Sequence, residues 1–135
     1  MDIKKTEIIS QRSEIIKIER LLENINKDFG LSEEKYVNLQ IALSEALINA
    51  IVHGNKENPH KRVHIEFSYS ENYITVKIKD EGEGFKPENI PDPTNSENLF
   101  KEHGRGLFIM KSLVDKFECI PGEEGTEFRL TVTKV

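Results

Sequence analysis

The stretch YITVKIKDEGEGF, Tyr73 to Phe85, decides how this chain is read. Its first half alternates. Ile74, Val76 and Ile78 fall on one face of a strand, and Thr75, Lys77 and Lys79 on the other. Asp80 has the parity of the isoleucines, and Gly82 and Gly84 follow at once. A carboxylate on an apolar face must pair or lie at the rim, because an unpaired buried charge is costly. The ordinary explanation is a turn cap, since Asp is common in turns. Two further signals weigh toward a site.

Working outward, Val63, Ile65, Phe67 and Tyr69 alternate before the turn Ser70-Glu71-Asn72, so 63–69 and 73–80 form a hairpin. A second hairpin closes the chain, with strands at 117–120 and 126–134 around the turn Pro121 to Gly125. Phe128, Leu130 and Val132 point inward there, and Thr126 shares their parity, the first of the two signals. Residues 2–9 are a candidate first strand. Residues 11–29 read as a helix, with Ile15, Ile18, Leu22, Ile25 and Phe29 at spacings of three and four and Gly30 as the stop. A second helix starts after Ser32 as N-cap and runs to about His53, ended by Gly54. A third covers roughly 105–115. Strands in hairpins with separate helices predict an α+β two-layer sandwich, a mixed and mostly antiparallel sheet with helices on one face.

The second signal is a polar stripe on the second helix, LQIALSEALINAIVHG. Most of its circumference is apolar, yet Glu45 and Asn49 lie at i and i+4, with Asn38 and His53 on nearly the same line. A narrow polar stripe on a largely buried helix faces a site or, more ordinarily, solvent. Of the eight glycines, Gly82, Gly84, Gly104, Gly106 and Gly125 cluster in three short motifs. Gly104-Arg105-Gly106 opens a helix, where free N–H groups favour a phosphate. Each motif alone is weak. Together they form an ordered set: Glu-x-x-x-Asn on a helix, Asp-x-Gly-x-Gly at a strand end, Gly-x-Gly at a helix start and Gly-Thr opening a last strand.

The bulk properties set limits. The chain has 135 residues, 36% hydrophobic and 32% charged, as suits one globular domain. No apolar run approaches the ~20 residues that span a bilayer, and no signal peptide is expected at the N-terminus. One cysteine, Cys119, excludes an internal disulfide framework; it reads as a core thiol, with a reducing cytoplasm as the setting. A net charge of -5 argues against general nucleic-acid binding. The histidines and Cys119 lack metal-ligand spacing.

Four segments carry a resemblance: SEALINAIVHGN (44–55), DEGEGF (80–85), IPDPTNSENLFKEHGRGLFIMKSLVD (90–115) and EGTEFRLTV (124–132). They resemble the ATP-binding domain shared by gyrase-type ATPases, Hsp90 chaperones, histidine kinases and MutL. Within that group the chain is most similar to the bacterial anti-sigma factor serine kinases. The resemblance covers residues 32–132; over 1–30 only length and pattern agree.

The resemblance implies a single ATP-binding kinase domain over 1–135, with an N-terminal strand and helix (1–30), a nucleotide-binding core (32–134) and a lid over the nucleotide (86–103). It implies that Asp80 accepts a hydrogen bond from the adenine amino group, assisted by Thr126. Gly82, Gly84 and Phe85 would line the base, with Gly125 beside Thr126. Asn49 would hold Mg²⁺ on the phosphates of ATP. Gly104 and Gly106 would face the phosphates, Arg105 would reach the γ-phosphate, Leu107 would belong to the nucleotide-binding set, and Glu45 would be the general base. The expected partners are a sigma factor and an anti-anti-sigma protein substrate, with a homodimer as the assembly. A nucleotide-gated binding module without useful kinase activity is the alternative. The catalytic half of a histidine kinase is disfavoured, because the chain is too short for a phospho-acceptor helix pair.

Overall fold

The strand that leads to Asp80 lies at the centre of a five-stranded sheet. The computed structural model describes residues 1–82 and 104–135. The strands are β1 (Asp2–Ile9), β2 (Arg62–Tyr69), β3 (Tyr73–Lys79), β4 (Lys116–Gly122) and β5 (Gly125–Thr133), in the order β1-β2-β3-β5-β4. Every pairing among them is antiparallel, so the mixed sheet expected from the pattern resolves to a purely antiparallel one among the described residues. The register puts Ile78 opposite both Ile65 and Phe128, and Val76 opposite both Phe67 and Leu130. These side chains are buried, β2, β3 and β5 giving alternate residues to the core. The opposite face is polar. Thr75 and Thr131 share a hydroxyl hydrogen bond of 2.9 Å, and Glu66 lies 3.6 Å from Lys5 and 3.3 Å from Lys77.

Among the described residues three helices cover the apolar face: α1 (Ile15–Phe29), α2 (Glu33–Ile48) and α3 (Gly104–Leu113). The first buries Ile18, Leu22, Ile25 and Phe29 and stops at Gly30, whose φ of 78° is left-handed. Ser32 caps α2 by accepting from the Lys35 N–H at 3.3 Å. Leu39, Ala42, Leu43, Ala46 and Leu47 are fully buried, and α2 packs between α1 and α3. Each such leucine stabilises the fold by about 1.5–3 kcal/mol through burial alone. No helix among the described residues is long and apolar enough to cross a membrane.

Boundaries differ from the sequence expectation where backbone geometry overrides periodicity. The first helix begins as a 3₁₀ turn, Arg12–Glu14. The second leaves α geometry at Asn49 and finishes as a π-helical turn, Asn49–Gly54, marked by the Asn55 N–H bonded to the Ala50 carbonyl, five residues back, at 2.8 Å. The last hairpin is tighter than predicted. Pro121 pairs with Thr126 and Gly122 with Gly125, leaving Glu123 and Glu124 as the turn. Pro121 is tolerated because β4 is an edge strand.

Candidate active site

Asp80 is 3% exposed, and main-chain donors meet its carboxylate from two directions. Its Oδ1 accepts from the Gly82 N–H at 2.9 Å and from the Thr126 N–H at 3.1 Å. Its own N–H donates to the Thr126 carbonyl at 3.1 Å, extending the β3–β5 ladder by one bond. These charge-assisted bonds offset the desolvation of a buried carboxylate and fix its orientation. Thr126 is 4% exposed and faces inward, as its parity predicts.

The glycines around Asp80 permit backbone to lie against backbone. Gly125 has φ +137°, and a Cβ there would collide with the Asp80 carbonyl oxygen. A Cβ on Gly82 would strike the carbonyl of Gly54, and one on Gly54 would strike the Asp80 carboxylate. The close approach required of Gly82 is thus to the chain's own π turn. Gly54, read from sequence only as a helix stop, is one wall of the Asp80 site.

The polar stripe of α2 divides. Asn38 lines a shallow cavity with Lys35 and Ser112, at the far end of α3, and His53 is exposed. Glu45 and Asn49 stay together. The Asn49 amide donates through Nδ2 to the Glu45 carbonyl at 2.9 Å. Asn49 is 5% exposed, and among the described residues its Oδ1 is a buried acceptor with no partner. Gly106 on α3 faces both: a Cβ there would lie 2.9 Å from Asn49 Nδ2 and 3.1 Å from Glu45 Oε2. An unpartnered amide oxygen one helical turn from a carboxylate is a hard-oxygen donor set, which fits Mg²⁺. Among the described residues no cluster of three or more His, Cys, Asp or Glu could hold a metal, so the fit is to an ion that keeps most of its ligands from elsewhere.

The structure therefore brings Glu45, Asn49 and Gly106 together at one end of the π turn, and Asp80, Gly82, Gly125 and Thr126 at the other. Such turns concentrate at functional sites. Gly104 and Arg105 form the first turn of α3, and Leu107 is buried on its core side with Met110. The side chain of Arg105, together with Gly84, Phe85 and residues 86–103, lies outside the described residues.

A buried polar group had no periodic signal. Asn55 is 1% exposed; its Oδ1 accepts from the Glu81 N–H at 2.7 Å, while Nδ2 donates to Ser10 Oγ and to the Arg62 carbonyl, both at 2.9 Å. The carboxylate of Glu81 lies 2.6 Å from His64 Nε2 and accepts from the Arg62 N–H at 3.1 Å, bonds that hold it below the usual carboxylate range. Cys119, half-buried on the edge strand β4, pairs with Phe128. Burial, then the charge of Asp80, pushes its thiol up to about 11.

A buried, backbone-held aspartate and a carboxylate–amide pair on a helix, each approached closely by glycine, thus lie on one face of a five-stranded sheet. The family model for the histidine kinase-like ATPase domain matches residues 10–132. A serine-protein kinase RsbW from Oceanobacillus iheyensis is 31% identical over 114 residues, covering 79% of this chain and 72% of the relative. An anti-sigma F factor from the same organism is 31% identical over 101 residues, covering 73% and 69%. In three dimensions the chain is similar to a structure of the RsbU and RsbW domains of Rv1364c from Mycobacterium tuberculosis. The TM-score is 0.71 at 15% identity, covering 98% of this chain and 32% of that one, a likeness of fold. The chain belongs to the histidine kinase-like ATPase domain family and, within it, to the family of these serine-protein kinases and anti-sigma factors.

Proposed function

We propose that this protein is an ATP-dependent protein-serine kinase and anti-sigma factor. It binds a sigma factor and phosphorylates an anti-anti-sigma protein on serine, using ATP and Mg²⁺, as a cytoplasmic homodimer. The observation that carries the proposal is the Glu45–Asn49 pair: a half-buried carboxylate one turn from a buried amide oxygen that has no partner among the described residues. Membership of a family whose relatives are named serine-protein kinases and anti-sigma factors supports it. The homodimer, the setting and both protein partners follow from that family likeness alone.

In this mechanism Asp80 accepts a hydrogen bond from the adenine amino group, its orientation held by the N–H groups of Gly82 and Thr126. Thr126 assists at the base, and Gly125 gives the backbone clearance that brings them together. Asn49 Oδ1 would be the protein's ligand to Mg²⁺, and the ion would supply neutralisation of charge on the phosphates. Gly104, Arg105 and Gly106, opening α3, face the phosphates with N–H groups and the helix dipole. Residues 86–103 act as the lid, flanked by Gly84 and Phe85 on one side. Glu45 takes the proton of the partner's serine as that oxygen attacks the γ-phosphorus and the bond to ADP breaks.

The test uses labelled ATP and a candidate anti-anti-sigma protein from a neighbouring gene. Glu45→Gln retains ATP binding and loses transfer by roughly 10²–10⁴, whereas Asn49→Ala impairs both. Wild-type protein that binds a sigma factor only with ATP, yet transfers phosphate to no such candidate, would instead be a nucleotide-gated binding module.

A further inference from the structure

The amide of Asn55 joins three separated pieces of chain: Ser10 after β1, Arg62 at the start of β2 and Glu81 after β3. It is too buried, at 1% exposure, to touch a nucleotide. Its bond to the Glu81 N–H acts on one particular peptide, the one between Asp80 and Glu81. The N–H end of that peptide is held by Asn55 Oδ1 at 2.7 Å, and its carbonyl end lies against the backbone of Gly125. Rotation of this peptide would carry the following Gly82 N–H away from Asp80 Oδ1, which it now meets at 2.9 Å. The side chain of Glu81 is fastened as well, to His64 and to the Arg62 N–H. A chain of contacts therefore runs from Asn55 through Glu81 to the carboxylate of Asp80.

The backbone on both sides of Asn55 is closely constrained. Gly54, just before it, abuts Asp80. Lys56 and Glu57, just after it, have φ of 52° and 55°, a left-handed conformation that non-glycine residues adopt only when neighbours enforce it. The enforcing contacts are the Glu57 N–H on the Ile51 carbonyl at 2.8 Å and the Asn58 N–H on the Asn55 carbonyl at 3.0 Å.

We propose that Asn55 is a positioning residue for nucleotide binding: by holding the Glu81 N–H it sets the orientation of the Asp80 carboxylate toward the base. The inference rests on the nucleotide site proposed above and deepens it. Asn55 belongs to the affinity for ATP, separate from the chemistry at Glu45. Ser10 is the built-in control. It shares the same amide, through Nδ2, and bonds the Lys61 carbonyl at 2.6 Å, but it does not touch the Glu81 end.

The test measures ATP affinity by calorimetry alongside thermal unfolding for Asn55→Ala, Ser10→Ala, Asp80→Ala and the double variant Asn55→Ala/Asp80→Ala. Asn55→Ala is expected to weaken ATP binding about tenfold, the equivalent of one lost orienting hydrogen bond. Ser10→Ala is expected to lower the unfolding temperature while holding ATP affinity within about twofold. In the Asp80→Ala background, removal of Asn55 adds little, because its effect runs through that carboxylate. If Asn55→Ala does not fold, Asn55→Ser, whose shorter side chain cannot reach the Glu81 N–H, carries the same comparison. Equal affinity losses in the Asn55 and Ser10 variants, additive losses in the double variant, or unchanged affinity in a folded Asn55 variant would each overturn the positioning role. Unchanged affinity in a folded Asp80→Ala would instead remove the nucleotide site itself, and the role of Asn55 with it.

Discussion

Asp80→Asn separates the two tasks assigned to one carboxylate. In the fold, Oδ1 accepts from Gly82 at 2.9 Å and from Thr126 at 3.1 Å. An asparagine can turn its carbonyl to the same donors, so both bonds persist, now neutral instead of charge-assisted. Charged hydrogen bonds contribute about 1.5–3 kcal/mol and neutral ones about 0.5–1.5, a difference of about 1–1.5 for each bond, so stability should fall by roughly 2–3 kcal/mol over the two. Toward the ligand the change is one of sign. The second carboxylate oxygen becomes an NH₂ group, and a donor then faces the adenine amine, which is itself a donor. The charge-assisted bond of about 1.5–3 kcal/mol is lost, a weakening of roughly 10- to 150-fold. A guanine or hypoxanthine nucleotide, with a carbonyl in place of that amine, should lose less or gain. Calorimetric titration with ATP and GTP, beside urea unfolding to confirm the fold, reads both tasks. Equal ATP affinity for wild type and a folded Asp80→Asn would refute the reasoning, because the carboxylate would then not face the base.

Gly125→Ala should destabilise the protein by several kcal/mol and weaken ATP binding, since φ +137° and contact with the Asp80 carbonyl leave no room for a Cβ; a urea midpoint within error of wild type would contradict the packing described. Cys119 should react with a disulfide reagent at pH 8 on the order of a hundredfold more slowly than an unperturbed thiol, because burial and the charge of Asp80 both disfavour the thiolate and raise its pKa to about 11. Its rate should climb with pH well beyond the usual thiol range, and Asp80→Asn should accelerate it; an ordinary midpoint near pH 8.5 would show that the thiol is not buried beside that carboxylate.

The amino-acid sequence by itself determined what depends on local period. Alternation from Tyr73 to Lys79 placed Asp80 on the core side, and the same parity placed Thr126 there. The i, i+4 spacing put Glu45 and Asn49 on one stripe of α2. The glycine at 30 and the serine at 32 marked helix ends that the backbone uses. Tertiary structure decided which backbones meet. Strand order β1-β2-β3-β5-β4 puts β5 beside β3, so that the Thr126 N–H reaches a carboxylate 46 residues earlier. Gly54 reads as a helix stop until the Asp80 loop is packed on it, and nothing in the local pattern marks Asn55 before Ser10, Arg62 and Glu81 converge on its amide. Periodicity reports the face on which a side chain lies. The partner of a buried donor or acceptor is set by which distant segment arrives there, and that is known only once the sheet and helices have packed.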